Sequence, residues 1–477
     1  MKKIIYLIAF SLAFVSCTNE DITFTPYNSV SESIVLRNQG DLENMLNGAY
    51  SYMIKNGGAG GYGSEFIIDS EVITDNIILK QDGRQSNASG FRLLSVPSSS
   101  HFDYFVSAYR PAEFATRIID NINVAPASAA RDNIEGQARF LRALNMFDMA
   151  RIYSKIPTQS ADANASLGMY YLDTVDPFGK PSRPTVADTY TKIINDLLIA
   201  KDKIGTTNTL ASGKASKAAV FALLSRVYLY MGDYQKVIDY GTLAVAGNTV
   251  CSIATFPALW QDVNSNGVLF KLRIDQVDGV TPGVIFNQTI SGQIRSEYVL
   301  QKSVYDLFTA SDVRKTAYFR QGVYAGSNYN HVIKYLTRPT GNPAILDIKV
   351  IRLEEVYLNM AEAQYRLNGG GLAHLNAVRS QRYASFTSPG ETGQALLDAI
   401  LLERRLELFC EMDRFFTLKR LGLSMTRNAV EGDKADGTGQ KVEASSLSIP
   451  AGNFKWQLPI PQSQIDINSN LQQNPGY

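Results

Sequence analysis

Tryptophan is almost missing from this chain: two residues in 477, against 25 Tyr and 22 Phe. Histidine is nearly as scarce, and His101, His331 and His374 stand far apart in the sequence. With no H-E-x-x-H pair and no Cys/His cluster, a zinc site has no ligand set to build on. A G-x-S-x-G nucleophile elbow is missing too. Net charge is +1 with 19% charged residues, so neither nucleic acid nor another polyanion is implied as a partner. Beyond residue 15 no stretch approaches the roughly twenty apolar residues of a membrane helix. Only three cysteines occur, Cys17, Cys251 and Cys410. An oxidising compartment would permit a 251–410 bridge, but Cys410 sits in an apolar, helix-like stretch, LELFCEM. Two separate buried thiols are therefore expected. No cofactor and no metal are expected.

The N-terminus is informative. Met1-Lys2-Lys3 followed by IIYLIAFSLAFV reads as a secretory signal peptide covering residues 1–16. Phe14-Val15-Ser16-Cys17 resembles a bacterial lipobox, with Phe14 where Leu is usual, and makes Cys17 the expected lipidation site. A lipid chain anchors a protein without making it span the bilayer. Thr18 stands where an Asp would signal inner-membrane retention, and Glu20-Asp21 resembles a surface-export signal. The expected address is the outer membrane, facing the medium. Residues 17–477 are expected to form a single domain.

That address bears on GGAGGYGS (57–64), where Gly58, Gly60 and Gly63 have G-x-G-x-x-G spacing. The fingerprint needs a strand before it and a helix after it. Here a helical pattern, DLENMLNGAYSYMIKN, leads in, and EFIIDSEVITDNIIL reads as β-rich. An exported protein also meets no dinucleotide pool, so a loop after a helix is expected.

Helical patterns come in pairs. Ala219, Ala222, Leu223, Val227 and Tyr230 stripe one arm; Gly232-Asp233 breaks it; Tyr234, Val237, Ile238, Leu243 and Ala244 stripe the next. Leu353, Val356, Tyr357, Met360 and Ala361 repeat the arrangement before Gly369–Gly371, followed by Leu372, Leu375 and Val378. Such pairs resemble tetratricopeptide units, which must stack to cover one another's apolar faces. Further helical stretches include YFVSAYRPAEFATRIIDNI, NIEGQARFLRALNMFDMARIY, TVADTYTKIINDLLIAKDKI and an arm from Glu391 to Leu421. Residues about 57–103 and 248–345 are irregular, Gly-, Ser-, Asn- and Pro-rich. Loops on a rigid frame are where binding is expected. In ERRLELFCEMDR, Glu403, Glu407 and Glu411 recur every fourth residue. Glycoside hydrolysis needs two carboxyls flanking a cleft. Three on one helical stripe, beside Arg404, Arg405 and Arg414, read as interhelical ion pairs.

At this point the chain resembles the SusD/RagB family of outer-membrane lipoproteins. The motifs are LPIPQSQIDINSNLQQNPGY (458–477), RLEEVYLNMAEAQYRLNG (352–369), ERRLELFCEMDRFFTLKRLG (403–422) and RALNMFDMARIYSKIP (142–157). The resemblance implies a mainly α fold, with four tetratricopeptide-like helix pairs packed against an irregular, loop-rich region. It also implies a surface lipoprotein that captures an oligosaccharide, or in some branches a peptide, for a TonB-dependent SusC-like transporter. A surface glycoside hydrolase is the third reading. The family motifs carry no ligand residues over.

Sugars are bound by aromatic platforms together with planar amide and guanidinium groups. The two irregular regions offer Tyr62, Arg84, Asn87, Phe102 and Tyr104, then Trp260, Phe286, Tyr298, Tyr329 and Tyr335, with core packing as the competing role for every ring. Trp260 and Tyr298 are the leading platform candidates, and Tyr62, Arg84, Asn87, Tyr104 and Tyr329 complete the expected site. For a peptide, Asp69, Glu71, Asp75 and Arg84 could capture charge. The regions are expected to converge on one exposed, shallow pocket.

Overall fold

The helices begin where the sequence supplies caps. In the computed structural model, Asn38, Ser128, Thr185, Ser216 and Asp233 each accept a backbone N–H from the first helical turn that follows, satisfying donors that a helix N-terminus leaves open. The structure describes residues 35–55, 61–63, 65–80, 84–205, 210, 213–290 and 292–477. Cys17 and the leader therefore lie outside the described residues, as do Gly58 and Gly60.

The helices of seven residues or more, in chain order, are α1 (Gln39–Ile54), α2 (Glu65–Val72), α3 (Phe105–Asp120), α4 (Ala129–Tyr153), α5 (Val186–Lys203), α6 (Lys217–Met231), α7 (Tyr234–Val245), α8 (Leu353–Asn368), α9 (Leu372–Arg379), α10 (Gly393–Glu407) and α11 (Arg414–Arg420). They pack as pairs, α1 with α3, α4 with α5, α6 with α7 and α8 with α9, and successive pairs pack on one another through α3–α4, α5–α6 and α7–α8. This is the stack of helix pairs expected from the periodicity, four in number as the resemblance implies. Gly232 (φ 78°) and Gly369 (φ 76°) end α6 and α8 in the left-handed conformation that glycine adopts without cost. Gly241 lets α7 close on α8, since a Cβ there would sit 2.6 Å from Met360 Cγ. Of the predicted stripe residues, Leu243 is exposed.

Two expectations are corrected. EFIIDSEV is helix α2, not strand. Residues 66–72 are buried without exception, Asp69 and Glu71 included, and a helix buried on all sides shows no amphipathic period for a sequence reading to detect. The arm from Glu391 to Leu421 is two helices, and Cys410 lies between them with Met412, both at positive φ (56° and 61°). That turn is held from outside. Tyr318 Oη donates to the Glu407 carbonyl at 3.0 Å, Lys334 Nζ to that of Phe409 at 2.5 Å, and Tyr335 Oη to that of Cys410 at 2.9 Å. Cys251 and Cys410 are free, buried thiols, as expected.

The carboxylates at 403, 407 and 411 are ion-paired, with partners from far along the chain. Glu407 takes Arg382 and Arg352 at 2.8 Å and Arg314 at 3.1 Å; Arg314 also reaches Glu403 at 2.6 Å, and Arg352 reaches Glu411 at 2.7 Å. Arg404 instead binds Asp413, and Arg405 and Arg414 bind Asp75. Every member of the Glu407 cluster is buried. Burial alone would raise the Glu407 pKa, but the three guanidiniums hold it well below the usual carboxylate range.

The α4 C-terminus is closed by distant residues. Lys419 Nζ donates to the Arg151 carbonyl at 2.7 Å, Leu458 N–H to Ile152 at 3.2 Å, and Arg183 and Asn474 side chains to Tyr153 at 3.2 and 2.7 Å. Arg183 also donates to the Gln472 carbonyl, tying the C-terminal tail to the stack.

The strands belong mostly to the irregular regions. They are β1 (Ile78–Leu79), β2 (Val268–Leu272), β3 (Gln288–Ile290), β4 (Gln293–Arg295), β5 (Tyr298–Leu300), β6 (Phe319–Tyr324), β7 (Ser327–Val332), β8 (Ile348–Arg352), β9 (Met425–Thr426) and β10 (Ser448–Ile449). The main sheet runs β1-β5-β7-β6, antiparallel throughout, with Leu79 opposite Tyr298 and Val299 opposite His331. This sheet joins the first irregular region to the second.

Candidate functional site

The junction of β1 and β5 gathers several expected residues. Glu297, immediately before β5, is buried; its carboxylate accepts Arg84 Nε at 3.0 Å and the Ser86 N–H at 2.6 Å. Tyr298 Oη donates to the Ser86 carbonyl at 2.7 Å. Asn87 donates its side-chain amide to Asp69. Lys80 Nζ lies 4.4 Å from the Tyr324 ring centre and 4.6 Å from that of Tyr329. Arg84, Asn87, Tyr298 and Tyr329 thus come to one end of the sheet, drawn from both irregular regions.

The rings themselves are not platforms. Trp260 is 1% exposed, Tyr298, Tyr62 and Tyr104 0%, and Tyr329 6%. Trp260 packs edge-on against Tyr318 and Tyr335, with Lys334 Nζ 4.1 Å from its ring. Tyr62 donates to Asp148 and packs with Phe66 and Tyr104. Phe102, Phe286 and Tyr335 are likewise buried. The expectation of exposure fails for a physical reason: an irregular segment of this length has a core of its own, and rings fill it for the area they bury. Gly- and Asn-rich context marks loop backbone, not the direction of a side chain.

Of the acidic residues considered for a peptide, Asp69 and Glu71 are buried and Asp75 is half-buried. Asp75 is bound by Arg405 and Arg414; burial raises its pKa, yet the hydrogen bond from Arg414 and both guanidinium charges bring it to about 2. Glu71 accepts from Asn76 Nδ2 at 2.6 Å, its other oxygen has no partner among the described residues, and burial pushes its pKa up to about 7.

Beside β1 opens a pocket of about 130 Å³, lined by Ile78, Leu79 and Phe91 and edged by Gln85, Arg92, Lys441 and Glu443. It is small beside clefts of roughly 300–1,000 Å³ that enclose a whole ligand, and suits one residue of a chain. The sequence reading found the neighbouring Arg84 and Asn87 but missed Arg92 and the 440–446 loop. Nothing in GDKADGTGQKVEASS marks a site, and its approach to β1 is set by Arg427, which spans the gap by donating to the carbonyls of Phe91 and Ser446, each at 2.6 Å. Two larger grooves, of about 440 and 550 Å³, run along α3 and share Phe105, Tyr109 and Leu172; they contain none of the expected site residues.

A helix-pair stack bearing a loop-rich body, with a shallow polar pocket on that body, defines a class of binding protein, and comparison with known proteins names the family. The model of the SusD family matches residues 267–477, and a second model, described as starch-binding associating with outer membrane, matches residues 26–229. SusD-like protein P2 of Formosa agariphila is 25% identical over the full length of both chains. The starch-binding protein SusD of Bacteroides thetaiotaomicron is 30% identical over 131 residues, 28% of this chain and 22% of that one. A crystal structure of a SusD superfamily protein from B. thetaiotaomicron superposes with a TM-score of 0.78 at 27% identity, covering 92% of this chain and 100% of that one. The chain belongs to the SusD/RagB family.

Proposed function

We propose that this chain is a lipid-anchored binding protein of the outer-membrane surface that captures an oligosaccharide on the loop-rich body and delivers it to a SusC-like TonB-dependent transporter. The observation that carries the reading is the pocket beside β1, where Gln85 and Arg92 of the first irregular region face Lys441 and Glu443 of the 440–446 loop. Guanidinium, amide and carboxylate groups of this kind are those that grip sugar hydroxyls. Support comes from the starch-binding description of the model matching residues 26–229 and from the name of the B. thetaiotaomicron relative. The peptide alternative loses its support because Asp69 and Glu71 are buried and Asp75, half-buried, is ion-paired, all three engaged within the protein. The hydrolase alternative loses its carboxylates to the Glu407 ion-pair cluster. Residues 17–477 act in this proposal as one unit, held to the membrane through Cys17.

The binding test is calorimetric titration of the purified protein against a panel of oligosaccharides. Binding without turnover is expected; hydrolysis of a bound oligosaccharide, or no binding by any member, overturns the proposal. For the anchor, Cys17→Ala is expected to abolish lipid labelling and release the protein from the membrane fraction.

A further inference from the structure

The pocket beside β1 is lined by more positive than negative charge. Arg92 is half-buried, and its Nη2 donates at 3.1 Å to the amide oxygen of Gln85, a neutral partner. Among the described residues it has no carboxylate partner, and neither does the exposed Lys441 on the opposite rim. Beneath the floor, the Arg427 guanidinium lies 3.9 Å from the centre of the Phe91 ring. Its donors go to the carbonyls of Val72, Thr74, Phe91 and Ser446, so it is satisfied by hydrogen bonds while, among the described residues, its charge has no contacting carboxylate. Burial pushes its pKa down to about 9, which leaves it cationic at neutral pH. Against these stands one lining carboxylate, the exposed Glu443. Of the other charges nearby, Arg84 pairs with Glu297 at 2.9 Å, while Asp69 accepts from the Asn87 amide and remains a buried negative charge felt at Tyr298.

A guanidinium partnered by a neutral amide at a pocket wall differs from every buried arginine of the Glu407 cluster, each of which is matched by carboxylate. Planar recognition of an oxyanion is what the guanidinium fork does best, and its strength rises in a partly desolvated site. The floor of Ile78, Leu79 and Phe91 is nearly closed to solvent, so the charged rim carries the recognition and the sugar comes from the oligosaccharide-binding reading.

We propose that this pocket selects an anionic sugar residue, bearing a uronate carboxylate or a sulfate ester, with Arg92 pairing with the oxyanion and Lys441 adding charge from the rim. The proposal rests on the oligosaccharide-binding reading and sharpens its ligand class.

The test is calorimetric titration of the purified protein with two matched pairs: oligogalacturonate against its methyl ester, and a carrageenan oligosaccharide against its desulfated form. The acidic member of at least one pair is expected to bind roughly tenfold or more tightly than its neutral partner, the scale of one charge-assisted hydrogen-bonded pair. Which pair responds separates carboxylate from sulfate. Raising the salt concentration should narrow that margin. Arg92→Gln should remove most of the margin between acidic and neutral members, and Lys441→Ala should remove a smaller part. Melting curves accompany each variant, and Lys441→Ala, an exposed substitution, reports even where Arg92→Gln unfolds. Equal affinity for acidic and neutral members, or a preference that both variants retain, overturns the anionic selectivity while leaving the oligosaccharide reading in place. No binding by any of the four overturns both.

Discussion

Arginine serves opposite ends at two places in this molecule. Around Glu407, three guanidiniums meet carboxylates in the interior, with no solvent-exposed atom to spare. At the pocket beside β1, Arg92 and Lys441 stand at the surface with no acidic partner among the described residues. The first arrangement is closed: each charge has its counter-charge inside the protein, and a ligand would have to break it. The second is open, and only something from outside completes it. A buried, matched charge serves structure, whereas an accessible, unmatched one at a pocket wall is what the proposed site uses, although the two employ the same side chain.

Removing one side of the closed arrangement tests this most severely. Glu407→Ala leaves three guanidiniums competing for the remaining carboxylates in a dry interior. A loss of about 5 kcal/mol is expected, at the upper end for a broken buried pair, read as a large fall in denaturant midpoint or failure to fold. A loss near 1 kcal/mol would mean that water reaches the cluster. Because its folded pKa is depressed, Glu407 contributes stability above its unfolded pKa, about 4.5. That contribution is lost as pH falls below that value towards the depressed folded one.

Trp260→Ala separates scaffold from site. The ring sits among Tyr318, Tyr335 and Lys334, so its removal should cost about 3–5 kcal/mol through the cavity left behind. Oligosaccharide affinity of the folded fraction should not change. A lowered affinity with unchanged melting temperature would restore Trp260 as a binding platform.

Glu71 lies between the two extremes, a buried carboxylate without a cation on its free oxygen. Its folded pKa is raised, to about 7 from 4.5, so the sign runs the other way. Below pH 4.5 the group is neutral in both states and costs nothing; the penalty grows as pH rises towards 7 and is then complete. Glu71→Gln should raise stability at pH 8 by about 2–3 kcal/mol and leave it unchanged at pH 4. Urea melts at the two pH values check this, and an equal gain at both would assign the effect to packing instead.

The smallest effect is expected at Arg84, whose side chain is 53% exposed in its pair with Glu297. Arg84→Ala should cost about 1 kcal/mol of stability, since solvent screens the Arg84 end of the pair and the Ser86 N–H still holds the buried Glu297 carboxylate.

The scaffold was legible because its signals are local. Caps at Ser216 and Asp233, breaks at Gly232 and Gly369, and apolar stripes between them specify helices without knowledge of the rest. Helix α2 was not legible, since a segment buried on every side has no polar face to set its period. The site was legible in part. Arg84 and Asn87 lie near the pocket beside β1 without lining it, and the two irregular regions meet at β1–β5 while the pocket itself is shared with the 440–446 loop. Sequence misjudged Trp260 and Tyr298, because ring burial depends on contacts with Tyr318, Tyr335 and Phe91 that no local pattern encodes. Arg92 and Lys441 lie 349 residues apart in the chain, a pairing visible only once it is folded.

The end of α4 imposes an order on the making of the protein. The groups that close its final carbonyls come from Arg183, Lys419, Leu458 and Asn474, all downstream, the last of them 321 residues beyond Tyr153. As the chain emerges from a ribosome, these groups arrive long after the helix they close, and the C-terminus of α4 stays open until Asn474 is through.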